Sequence, residues 1–155
     1  MLLTTADGEP FATGVAPYSY RPAINDISNR ILLQVEIGGV LVEAIVDTGS
    51  PYVICPPYLS DAIGLDPDTA LEAIPYRVRG IDMRGNLYRV GVYFPAEEGD
   101  TLTVDATVFV PNPEWQQVWG EHPAYIGLTG CLERMRFAVD PENDLFYFGP
   151  PQAAS

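Results

Sequence analysis

Apolar and polar residues alternate along much of this chain with a period of two. Ile31, Leu33, Val35 and Ile37 fall on one side of the segment from Ile31 to Ile37, the pattern of a half-buried strand. Gly38-Gly39 then reads as a tight turn, and Val40 to Val46 as the return strand of a hairpin. The stretch Pro56 to Gly64 carries proline where a helix starts and glycine where it stops, which predicts a short helix of about two turns. A second hairpin is expected from Tyr76 to Phe94. Its tip is placed at Asp82-Met83-Arg84-Gly85-Asn86, with Tyr88, Val90, Val92 and Phe94 on one face. Thr101 to Val110 alternates again through Leu102, Val104, Ala106, Val108 and Val110. Residues 111–123 interrupt the pattern with three prolines, and Trp115 and Trp119 stand four apart, so one helical turn puts both on one face, where core packing is the favoured reading. Ala124 to Gly127 resumes a strand, Leu128 to Met135 predicts a second short helix, and Arg136–Asp140 with Leu145–Gly149 forms a closing hairpin over residues 141–144. The result is an all-β fold with one or two short helices, occupying residues 30–149. Residues 1–29, rich in Pro, Gly, Ser and Asn, read as an irregular N-terminal arm, and residues 150–155 as a loose tail.

Length and charge narrow what such a fold does. The chain of 155 residues suits one domain with a substantial core. Its net charge is -13, from 21 acidic residues against 8 basic ones, all of them arginine. Nucleic acid is excluded as an expected partner, because phosphate binding needs clustered positive charge. Cys55 and Cys131 match no metal-ligand or redox spacing and read as two reduced, buried thiols, with a disulfide between them left open. Met1-Leu2-Leu3 runs at once into Thr-Thr-Ala-Asp-Gly-Glu-Pro, without a charged and then apolar leader, and no stretch is long enough to span a bilayer. A soluble, cytoplasmic protein without membrane partners is expected. His122, the only histidine, lies in a proline-flanked loop and reads as a surface residue.

The chemistry concentrates in Asp47-Thr48-Gly49-Ser50, which follows the strand ending at Val46. A strand that delivers one carboxylate into a tight glycine-containing turn holds it at fixed orientation, as activation of water requires. No serine or cysteine nucleophile motif competes with it.

This tetrapeptide in its context resembles the catalytic loop of the retropepsin-like aspartic peptidases, single-lobe relatives of pepsin. Val78-Arg79-Gly80 and the hairpin after it stand where that family places its flap. Tyr125-Ile126-Gly127, then Leu132-Glu133-Arg134 and Phe137-Ala138-Val139-Asp140, resemble its second apolar-Gly element, helix and last strands. Bacterial single-domain members share the Leu-Glu-Arg helix end. The resemblance implies a closed single-lobe barrel with a flap hairpin, and an aspartic endopeptidase without metal or cofactor. Asp47 would be the catalytic carboxylate. Thr48, Gly49 and Ser50 would support the loop, with Thr48 bonding across a dimer axis and Ser50 donating to the outer carboxylate oxygen. Gly80, Ile81 and Asp82 would contact substrate from the flap, and Ile126 and Gly127 would form the second element. Because the chain holds one such loop where the chemistry needs two carboxylates, the resemblance also implies a homodimer acting on a peptide or protein substrate. The viral members carry Arg after the later Gly, where this chain has Leu128. The competing reading is a non-catalytic peptide-binding or dimerisation module on the same fold; a further one makes Asp47 an ordinary turn residue of an unrelated barrel.

Overall fold

The structure is a computed structural model that describes residues 2–151. Two short strands come first, β1 (Gly14–Pro17) and β2 (Ser19–Pro22). The hairpin of β3 (Asn29–Ile37) and β4 (Val40–Val46) follows, then β5 (Val53–Ile54) and helix α1 (Leu59–Ile63). A longer hairpin joins β6 (Glu72–Val78) to β7 (Ile81–Phe94). After β8 (Glu98–Gly99) and β9 (Leu102–Pro111) come helix α2 (Gln116–Trp119), β10 (Ala124–Ile126), β11 (Arg136–Asp140) and β12 (Leu145–Gly149).

Eight strands form one sheet in the order β2-β3-β4-β10-β5-β9-β7-β6, and β3 also pairs with β7 through Glu36 opposite Tyr93 and Ile37 opposite Val92. That extra pairing closes the strands from β3 to β7 into a barrel, leaving β2 and β6 as free edges. Closure gives the inner ends of β3 and β7 a partner, so the unpaired edges are confined to the short β2 and to β6. The remaining strands make a four-stranded sheet, β11-β12-β1-β8.

The alternation read from the sequence sorts side chains between two buried clusters. Leu33, Val35 and Ile37 of β3 and Tyr88, Val90, Val92 and Phe94 of β7 enter the main core, with Val104, Ala106, Val108 and Val110 of β9. Leu32, Leu87 and Phe109, on the opposite parity, enter the second cluster with Ile45, Ile54, Val78, Trp119 and Tyr125. Both faces of the central strands are therefore covered. Trp119 is buried there and Trp115 packs against the same cluster, so the tryptophans serve the core. Cys55 and Cys131 are free, buried thiols, and burial pushes both up to about 12.

Four expectations are corrected. The arm of residues 1–29 is not irregular throughout, because β1 pairs with β12 from Gly14 opposite Phe148 to Pro17 opposite Leu145, and β2 pairs with β3. Its short, Gly- and Pro-bearing strands show no period of their own and are held by partners far along the chain. The tip of the second hairpin lies at Arg79-Gly80, not at residues 82–86. Arg79 (φ 52°) and Gly80 (φ 78°) take the paired left-handed conformations of a two-residue turn, which sets Val78 opposite Ile81. Met83 is buried, and at Gly85 a Cβ would run into the Val110 carbonyl, so this glycine serves close strand approach. The helix expected over Leu128–Met135 shrinks to one 3-10 turn at Leu132–Arg134, because backbone bonds tie Leu128 and Gly130 to the Asp47 loop instead. His122, expected on the surface, is 1% exposed; α2 and Trp119 fold its loop inward. Of the tail, residues 152–155 lie outside the described residues.

Candidate active site

β4 ends at Val46, which pairs in parallel with Ile126 of β10. The chain then leaves the sheet, and the Asp47 N–H donates to the Ile126 carbonyl at 2.9 Å. Within the turn, the Gly49 N–H donates to the Asp47 carboxylate Oδ1 at 2.9 Å and the Ser50 N–H to the Asp47 carbonyl at 3.1 Å. The loop is tied from below as well: the Leu128 N–H donates to the Ser50 carbonyl and the Gly130 N–H to the Pro51 carbonyl, each at 2.6 Å. Gly127 lies directly beneath, where any Cβ would collide with the Tyr52 and Ser50 carbonyl oxygens. Two apolar-Gly segments distant in sequence thus lock together by backbone bonds, and the Asp47 carboxylate sits half-buried above them.

Asp47, Gly49 and Ser50 form one wall of a cleft of about 250 Å³. Tyr76 to Arg79, the last residues of β6 and the first of its turn, form the facing wall, and Tyr125 and Arg30 complete it. Asp47 is the one carboxylate among the described residues that line it. Tyr76 packs edge-on against Tyr52 (5.5 Å between centroids) and Phe109 (5.3 Å), so the hairpin is anchored on the second core cluster just short of its tip.

Behind the cleft floor, His122 bonds Tyr125. A carbonyl only accepts, so the contact of Nδ1 with the Ile24 carbonyl at 3.3 Å places the proton on Nδ1, and Nε2 accepts from the Tyr125 hydroxyl at 2.6 Å. Burial, with the positive charge of Arg79 adding to it, pushes the His122 imidazole down to about 4. Burial likewise pushes the Tyr125 hydroxyl up to about 12, although Arg79 and Arg30 pull it down. An imidazole kept neutral in the fold but free to charge in the unfolded chain gives stability that is complete above about pH 6.5 and is lost as pH falls toward 4. Urea unfolding between those pH values should show the parent losing on the order of 2–3 kcal/mol more than His122→Gln. Equal pH slopes would rule out this histidine as the source.

Most of the expected site residues come together. Asp47, Gly49 and Ser50 line the cleft, Thr48 is exposed at the loop's outer rim, and buried Ile126 and Gly127 support it. One role changes. The Ser50 hydroxyl donates to the Tyr52 carbonyl at 3.0 Å rather than to the carboxylate, because buried Ser50 faces the loop's own backbone. Gly80, Ile81 and Asp82 are not among the residues lining the cleft; with the turn at Arg79-Gly80, that wall is made by Tyr76 to Arg79. The sequence does not single out the cleft residues Arg30, Tyr76 and Arg77, and it marks Arg79 and Tyr125 only as members of the flap and second apolar-Gly motifs. For Tyr125 a signal existed: in Ala124-Tyr125-Ile126, alternation sets it on the face opposite Ile126. Among the described residues, no three His, Cys, Asp or Glu side chains converge to hold a metal ion, and no helix is long and apolar enough to cross a membrane.

No protein-family model and no curated protein sequence matches the chain. Among solved structures, it is similar to a retropepsin-like aspartic protease from Rickettsia conorii, with a TM-score of 0.54 and 14% identity over 88% of this chain and 92% of that one. It is also similar to the retroviral protease-like domain of Ddi1 from Leishmania major, at 17% identity over 79% of this chain and 94% of that one, with a TM-score of 0.48. The Rickettsia likeness and the all-β architecture establish a retropepsin-like fold.

Proposed function

We propose that the protein is an aspartic endopeptidase that works as a homodimer. The observation that carries this reading is the Asp47 loop, with its half-buried carboxylate oriented by the Gly49 amide at the wall of an open cleft, on a retropepsin-like fold. Thr48, exposed beside the carboxylate, is available for contact with a second copy of the same loop. Two such loops brought face to face place Asp47 against Asp47 of the partner subunit. Carboxylates this close share one proton, as in aspartic proteases generally. The ionised member takes a proton from a water between them, and that water's oxygen attacks the scissile carbonyl. The protonated member donates to the carbonyl oxygen. The tetrahedral diol then collapses: the C–N bond breaks, the amine leaves with a proton from the dyad, and two peptides are released. Substrate lies extended between the loop wall and the β6–β7 hairpin, pairing its backbone as an added strand.

The test is cleavage of an unbiased peptide library from acidic to alkaline pH, with oligomeric state measured in the same samples. Internal cuts with an acidic to mildly acidic optimum, and activity per subunit that falls on dilution through the dimer-to-monomer transition, are expected. A rate that climbs into alkaline pH, or undiminished activity from monomer, overturns the mechanism. Binding of peptides without cleavage at any pH would favour the binding-module reading.

A further inference from the structure

Three of the eight arginines, Arg30, Arg77 and Arg79, line the cleft beside Asp47 in a chain whose net charge is -13. Positive charge is therefore gathered at the one concave surface where a peptide would lie, against the sign of the molecule as a whole. Two of the three have carboxylate partners: Arg30 Nε lies 2.9 Å from Asp26 Oδ2, and Arg77 Nε lies 3.0 Å from Asp82 Oδ1. Arg79 differs. Among the described residues it forms no ion pair, and its side-chain hydrogen bond is a long one, from Nη2 to the Asn25 carbonyl at 3.5 Å. It occupies the hairpin tip in a left-handed conformation (φ 52°), so the turn itself fixes where its side chain leaves the backbone. It lines the same cleft as Asp47 and Tyr125.

We propose that Arg79, supported by Arg30 and Arg77, makes this cleft select extended peptides that carry an Asp or Glu side chain close to the scissile bond. The guanidinium presents a planar fork that a carboxylate accepts through two parallel hydrogen bonds. A carboxylate entering the cleft gives Arg79 a partner. This inference rests on the peptidase reading above, because it assigns the substrate class of the same site.

The experiment uses the full chain and a set of octapeptides in which one Glu, or Gln in its place, is moved along an otherwise neutral sequence. At the best position, the parent should cleave the Glu peptide with a kcat/KM roughly tenfold above its Gln counterpart. In Arg79→Gln that ratio should fall to near one, and Arg79→Lys should restore part of it. Added salt should shrink the parent's ratio, because the charges meet at an exposed cleft mouth. A parent that cleaves Glu and Gln peptides equally at every position overturns the inference while leaving the peptidase intact, and so does a preference that survives in Arg79→Gln. If the parent cleaves neither, fluorescence anisotropy of the same labelled peptides decides: tighter binding of Glu peptides that Arg79→Gln removes upholds the inference and overturns only the peptidase reading. Equal or absent binding overturns both.

Discussion

Asp47→Asn should abolish peptide cleavage, lowering kcat by at least about a thousandfold, while the fold and the dimer persist. Asparagine matches aspartate in size, and its amide oxygen can still accept from the Gly49 N–H that orients Oδ1 at 2.9 Å. What it cannot do is hold or release the proton that the proposed pair of carboxylates would pass to and from water and amine. Structure and chemistry are thereby separated in one substitution. Mixing supplies the second half of the argument. When Asp47→Asn subunits are exchanged into parent dimers, activity should fall with the square of the parent fraction, because every mixed dimer holds a single competent carboxylate. Decline in simple proportion to that fraction would mean that each subunit acts alone. Circular dichroism and sizing of the variant, run beside peptide cleavage, provide the check.

Gly127→Ala should be nearly as damaging, through the fold rather than through chemistry. A Cβ at this position would collide with the Tyr52 and Ser50 carbonyl oxygens. Relief would require the β10 end to move away from the Asp47 loop, breaking the bond from the Leu128 N–H to the Ser50 carbonyl and straining that from the Asp47 N–H to the Ile126 carbonyl. The expected loss of stability is about 3–5 kcal/mol, at the upper end for single substitutions because backbone atoms have no rotamer by which to yield. Denaturant unfolding measures it, and what folded protein remains should cleave poorly. Stability within about 1 kcal/mol of the parent would show that the loop tolerates displacement.

How much was legible in the residues followed the range of the interactions involved. The β3–β4 hairpin and the closing hairpin of β11 and β12 declare themselves through alternation and turn residues, because each pairs with its neighbour in sequence. The Asp47 loop is legible for the same reason: strand, turn and glycine are contiguous. β1 and β2 were not, since β1 is fixed by β12 at the other end of the chain and β2 by the outer edge of β3. The second hairpin was recognised and its tip misplaced. Asp82 to Asn86 has the composition of a turn, whereas Arg79-Gly80 adopts the backbone of one, and Met83, buried in the second cluster, holds the strand through the apparent turn. Beside that tip, Tyr76 through Arg79 line the cleft. His122 was misjudged because the chain around it is polar and proline-rich; its burial depends on Trp119, Tyr125 and the Ile24 carbonyl, which only the folded chain brings together.

The place of β10 in the sheet, between β4 and β5, also sets an order of events in the making of the molecule. The Asp47 loop leaves the ribosome early, but the strand that clamps it, and the glycine beneath it, come late. Until Ala124 to Gly127 have emerged and threaded between strands already synthesised, the carboxylate has no fixed direction. Pairings that span so much chain form slowly, because loop-closure entropy is spent before the contacts repay it. A nascent or truncated chain ending before β10 therefore carries the whole Asp-Thr-Gly-Ser motif without the backbone bonds that orient it.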